Sequence, residues 1–263
     1  MTLFFHELKR DRVRLIVWTA AIAFMLMISI IIYPQMTSQM DEMGQMFSEM
    51  GGFSEAFNMD KVNFGEFRGY FAVECGNVLG LGGAFFAALL GISALAKEER
   101  DHTAEFLLTH PVSRAYVVAQ KLAAVLFEVL VLNLAVALGA VIAALAIGQE
   151  IDGKLFFTIF LGYFIMQVEI ACVMFGVSAF LRGGGGVGIG LGAAFVLYFM
   201  NILANLTDKA EFLRYITPFS YADGTAIVSS GGIEVKYMIP GIIFALAGVA
   251  AAFIKYGKKD IKA

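Results

Sequence analysis

Charge is scarce in this sequence. Asp, Glu, Lys and Arg make up 16% of its 263 residues, where a soluble domain carries about 25%. Proline, histidine and cysteine are scarcer still, at four, three and two residues. Cys75 and Cys172 both sit in apolar stretches, show no CxxC spacing and have no histidine nearby, so they read as buried structural thiols rather than a metal site or a disulfide framework. His6, His102 and His110 are too scattered to form a ligand set, and no metal is expected. No grouping of His, Asp and Glu marks a membrane-embedded enzyme, and no nucleophile–base–orienter set is present. No Pro/Ser-rich linker or change of composition divides the chain, so residues 1–263 are expected to form a single membrane domain.

What the sequence does contain is apolar. Hydrophobic residues make up 59% of the chain, including 25 Phe, and 28 Gly accompany them. Mean hydropathy is +0.78. A helix needs about 20 apolar residues to cross the hydrocarbon core. Six stretches are long enough: 15–33, 70–96, 116–147, 155–181, 187–206 and 237–256. The expected fold is therefore all-α, a polytopic membrane protein with six transmembrane helices. The basic residues at the front of the chain followed by an apolar run resemble a signal peptide. The run from Leu15 to Tyr33 is too long for a signal core, however, and no small-residue cleavage site closes it, so it reads as a retained first span.

Lysine and arginine orient the bundle. Thirteen of the 19 basic residues fall in the N-terminal tail, the connections between spans two and three and between spans four and five, and the C-terminal tail. These four segments share one face of a six-span protein, and basic residues collect on the cytoplasmic side. Both termini are therefore expected in the cytoplasm. The amphipathic stretch Leu3–Arg10 is expected to lie along the inner membrane surface before span one. On the outer side, Met36, Met40, Met43, Met46 and Met50 recur at helical spacing opposite Asp41, Glu42 and Glu49. A soft-metal site and an adaptable apolar face are both open readings, and the absence of Cys or His from the stripe favours the face.

Gly148–Lys154 matches the opening of a phosphate-binding loop, but Leu155 stands where the magnesium-binding Ser or Thr belongs, and no strand precedes it. The chain then holds no nucleotide site, and any ATP must be bound by another protein. Gly183–Gly186 reads as a tight turn. Gly188 and Gly192 form GxxxG, a helix-packing face within the bundle or at a dimer seam. Within the spans, Glu74, Glu128 and Glu169 are costly to place in lipid. Glu169 lies nearest mid-membrane and has two readings, a translocation path or a buried partner for another helix. Glu128 and the pair Asn201 and Asn205 are the other candidates for lining the path.

Residues 97–114 between spans two and three form a short amphipathic segment. Thr103 or Asp101 can cap its start, Phe106, Leu107 and Leu108 need a surface, and Pro111 follows its end. A protein docking site and an ordinary interfacial loop fit it equally. The run Glu98-Glu99, Thr103, Glu105-Phe106-Leu107-Leu108, Pro111-Val112-Ser113-Arg114 and Lys121 resembles the ABC-2 family of transporter permeases, although His102 stands where the family usually has Gly. Glu7-Leu8-Lys9-Arg10, Trp18, Tyr33-Pro34, Tyr215-Ile216-Thr217-Pro218-Phe219 and Lys259-Asp260-Ile261 extend the likeness along nearly the whole chain. The resemblance implies a non-enzymatic permease in the plasma membrane of a bacterial or archaeal cell. Residues Glu98, Glu99, Arg100, Thr103, Glu105, Phe106, Leu107, Leu108, Pro111, Ser113 and Arg114 would form a coupling helix for a cytosolic ATPase. Two ATPase subunits, which bind the ATP and Mg, and a second permease half, the same or a related chain, would complete an exporter in the lipid bilayer. No nucleic acid is among the implied partners. The alternatives are an ion-coupled secondary transporter and a non-transporting membrane anchor or sensor. The identity of the cargo is not written in any motif.

Overall fold

A computed structural model describes residues 3–37, 52–56, 58, 61–63, 65–97, 113–181 and 186–258. The described residues are mostly helical, without strands. Six helices are long and apolar enough to cross a membrane. They are span one (Leu3–Thr37), span two (Phe67–Ala94), span three (Arg114–Ala146), span four (Gly153–Ser178), span five (Gly186–Leu206) and span six (Val235–Gly257). Each contains one of the six apolar stretches, apart from one to three residues at the C-terminal edges of spans two, three and four. Helix is the form that satisfies every backbone group within the segment where no water is available.

Span one differs from its expected beginning. The amphipathic segment does not form a separate surface helix; it continues unbroken into the membrane stretch as one 35-residue helix. No proline or glycine interrupts residues 3–33, and Glu7 and Asp11 on its first turns pair with Lys97, just past span two, and Lys121 of span three. Span two is interrupted at Gly76–Gly80 by a π-helical turn. Such turns free a backbone carbonyl from the regular ladder.

Spans two and four form the centre. About three-fifths of their most apolar stretch is buried (61% and 56%), against 17–22% for spans one, five and six. Span one packs on span three, span two on spans four and five, and span four also on span six. Lipid is as apolar as leucine, so helices associate through close packing of small residues rather than hydrophobic transfer. A Cβ on Gly91 would stand 2.3 Å from the Ala171 carbonyl, and one on Gly176 would stand 2.5 Å from the Gly248 carbonyl. The outer spans turn Phe24, Ile31, Phe199, Ile243 and Leu246 outward, as a lipid-facing surface requires.

Alternation places Leu3, Ala94, Arg114, Ser178, Gly186 and Gly257 at one end of the bundle, here the basal end. At the other, distal, end the chain folds into short pieces: Gly52–Ala56, a 3-10 segment Asp208–Tyr215, and the helices Phe219–Ala222 and Gly224–Ser230. The Gly148–Lys154 stretch is the distal turn between spans three and four. Gly148 takes φ +71°, a left-handed conformation suited to glycine. Asp152 caps span four by accepting from the Lys154 and Leu155 amides at 3.0 and 3.1 Å.

Candidate functional site

The basal end carries a buried ionic cluster. Lys121, 1% exposed, donates to Glu7 Oε1 and to the Ala94 carbonyl, both at 3.0 Å. Lys97 pairs with the other Glu7 oxygen and with Asp11 Oδ2, the latter at 2.9 Å. Arg14 pairs with Asp11 at 2.9 Å and donates to Ser93 Oγ at 3.1 Å. Glu128 lies within electrostatic reach of Asp11, Arg14 and Lys97, and one of its carboxylate oxygens has no hydrogen-bond partner among the described residues. Among the described residues, Glu7 and Asp11 thus pair with Arg14, Lys97 and Lys121, with Glu128 beside them. Mutual pairing is what makes charge tolerable away from water.

This cluster flanks the stretch that resembles a coupling helix. Glu98, Glu99, Arg100, Thr103, Glu105, Phe106, Leu107, Leu108 and Pro111 lie outside the described residues, as do Met40, Met43, Met46 and Met50 of the methionine stripe and Gly183–Gly185. Both ends of the stretch are described. At one end Lys97 is ion-paired to span one. At the other, Ser113 caps span three by accepting from the Tyr116 amide at 3.2 Å, and Arg114 donates to the Tyr256 carbonyl of span six at 3.4 Å. Spans one, two, three and six therefore meet at the two ends of residues 98–112. Lys121 carried a signal in the sequence through its place after Ser113-Arg114. Glu7 and Asp11 carried a weaker one, acids four residues apart on one helical face. Lys97 reads only as a surface charge until the helices are packed.

The candidate path residues separate into three places. Glu128 belongs to the basal cluster. Asn201 and Asn205 lie on the distal part of span five, beside a small cavity of about 50 Å³ shared with Asn77, Tyr198 and Asp223. Asn205 donates to the Ala56 carbonyl at 3.2 Å, and Asn58 donates to Asp223 at 2.5 Å. Asp223 also caps the helix Gly224–Ser230, accepting from the Thr225 amide and hydroxyl at 2.9 and 2.7 Å. Tyr163 of span four accepts from the Gly224 amide at 3.1 Å. Asp223→Ala is expected to cost about 0.5–2 kcal/mol and to raise hydrogen exchange in residues 219–230 selectively. Unchanged exchange there would show that Asp223 does not hold the distal hairpin.

Glu169 stands apart from both places. One oxygen accepts from Tyr221 at 2.6 Å. Its carboxylate rests against Gly241 of span six, where a Cβ would stand 2.0 Å from Oε2. Burial first, and then the neighbouring carboxylate, hold the Tyr221 phenol far above its ordinary range, so it stays a proton donor. Gln167 faces the other way. It accepts from Asn133 at 2.7 Å and donates at 3.3 Å to the Leu79 carbonyl in the π turn. Residues two apart on a helix point in different directions, so these two polar groups serve different neighbours. Tyr221, Asn133 and Gly241 carried no sequence signal, because each matters only through a contact between distant segments. A Cβ added at Gly188 or Gly192 would meet nothing within 4 Å, and both face outward; Gly91, Gly176 and Gly248 are among the glycines where backbone of another span comes close.

A bundle of six apolar helices with a buried ionic cluster at one end is a polytopic membrane protein, built without any group of three or more metal-ligating residues among the described positions. The chain belongs to the ABC-2 family of transporter proteins, whose sequence model matches residues 1–261, and it is accordingly a membrane permease of an ABC transporter. No curated protein and no solved structure matches it.

Proposed function

We propose that this chain is the permease subunit of an exporter driven by a separate cytosolic ATPase, with residues 98–112 as the docking element. The observation that carries this reading is the anchoring of both ends of that segment. Buried ion pairs fix Lys97 to span one, and Arg114 reaches span six. A load applied between them reaches four spans through short, stiff links. The excess of lysine and arginine at the basal end supports placing that end in the cytoplasm, where an ATPase has its nucleotide. Two ATPase subunits and a second six-span half, identical or related, complete the assembly. ATP and Mg are held by the ATPase.

The test is co-purification in mild detergent with ATPase activity assayed on the eluate. The tagged chain is expected to bring down an ATPase, and Leu107→Asp, which puts a charge on the apolar face, is expected to abolish both association and activity while leaving membrane insertion intact. A well-inserted Leu107→Asp chain that still recruits an active ATPase would remove residues 98–112 from the docking role. A chain that purifies alone in repeated trials would favour the ion-coupled or anchor readings.

A further inference from the structure

Spans five and six diverge on the surface of span four and leave a groove of about 530 Å³ that opens sideways. Val173 and Val177 of span four, Leu197 of span five and Phe244 and Ala247 of span six contribute to its wall. Among the described residues of the lining, Glu169 is the one with a polar side chain. It is 6% exposed, and Tyr221 satisfies one oxygen only; no described residue hydrogen-bonds to the other. Gly241 leaves room for the carboxylate at this spot, and any larger residue would displace it.

We propose that this groove is a binding site for a hydrophobic amine that enters from the bilayer, its ammonium group meeting the open Glu169 oxygen and its apolar body lying along spans four to six. This deepens the permease reading by naming a substrate class, and it rests on that reading. Charge complementarity selects the occupant. A buried carboxylate with an unfilled acceptor position is costly in an apolar surround, and a cation that arrives with its own N–H donors offsets that cost. A fatty acid would bring a second negative charge to the same point, and an alcohol would supply a donor without the charge. The wall also fixes the orientation. Phe180, at the basal end of the groove, already has the Lys255 ammonium 5.4 Å from its ring centre. A second cation there would be repelled, so the amine sits at Glu169, about 16 Å away along span four, and the chain points towards Phe180.

The test uses the full chain in phosphatidylcholine nanodiscs and three photoreactive dodecyl probes that differ only in the head group: amine, alcohol and carboxylic acid. Cross-linked peptides are mapped by mass spectrometry. The amine is expected to label spans four and six saturably, and Glu169→Gln is expected to reduce that labelling about tenfold or more. Tyr221→Phe leaves both carboxylate oxygens open and is expected to keep it. The alcohol and acid are expected to label weakly and to be indifferent to Glu169→Gln. Equal labelling by all three probes, or amine labelling unchanged in Glu169→Gln, would overturn the proposal and leave a groove for lipid chains. Equal losses in Glu169→Gln and Tyr221→Phe would overturn it in favour of a structural Glu169–Tyr221 link. No saturable labelling by any of the probes, in nanodiscs that hold two copies of the chain, would overturn it in favour of a groove covered by the second permease half. ATPase recruitment is scored on the same preparations. A chain that recruits an ATPase but shows no amine labelling loses the substrate class alone, whereas one that labels but never recruits an ATPase loses the proposed drive.

Discussion

Lys121→Met is expected to destabilise the detergent-solubilised protein by about 3–5 kcal/mol, seen as a large fall in its thermal midpoint. Methionine nearly keeps the length and volume of the lysine, so the loss is not one of packing. What disappears is a buried cation bonded to Glu7 and to the carbonyl at the end of span two. Among the described contacts, Glu7 is then left with a single buried cation, Lys97, which it shares with Asp11. Removing one member of a buried pair costs more than removing both. Glu7→Gln combined with Lys121→Met is therefore expected to recover a substantial part of the stability, with a coupling of about 1–3 kcal/mol in a double-mutant cycle. A Lys121→Met protein that melts with the wild type would show that the cluster is exposed to water in the membrane and contributes little. Because the same cluster borders residues 98–112, the rescued double variant also separates stability from coupling: it should fold yet transmit docking less efficiently.

Gly248→Val is expected to push spans four and six apart. A Cβ at that position would stand 2.6 Å from the Cys172 carbonyl oxygen and 2.9 Å from the Val173 Cα. Both are backbone atoms of span four, so no rotamer change can relieve the clash. Overpacking typically costs about 1–3 kcal/mol, occasionally more, and a backbone collision between two helices belongs at or above the top of that range. Since Gly248 also borders the groove below Glu169, amine labelling should fall with stability. Gly188→Ala and Gly192→Ala are the internal comparison. A Cβ added at either position would meet nothing within 4 Å, so both are expected to stay within about 0.5 kcal/mol of the wild type. A shift of those two variants from dimer to monomer, with folding intact, would place them at a seam between permease halves. Wild-type stability in Gly248→Val would show that spans four and six do not pack as described.

The spans were legible because the bilayer imposes a length and a polarity on each of them independently of its neighbours. A run such as 187–206 needs no partner to be read as a crossing helix, since its own backbone bonds close within it. The basic segments were legible for a similar reason, as each loop meets the membrane surface separately. The sequence by itself thus determined the six helices, their bounds to within a few residues in most cases, the family likeness carried by residues 98–121, and Glu169 as a charge that needed explaining. It could not decide which helices touch, because in lipid an apolar face suits a neighbour as well as it suits the solvent. Only the tertiary structure joined Glu7 to Lys97 and Lys121 across three helices, turned Gln167 and Glu169 towards different partners, moved the close glycine contacts to Gly91, Gly176 and Gly248, and set Glu169 at the head of an apolar groove. Each of these is a short-range contact between residues far apart in the chain, where a few tenths of an ångström in backbone approach decide whether a polar group finds its partner.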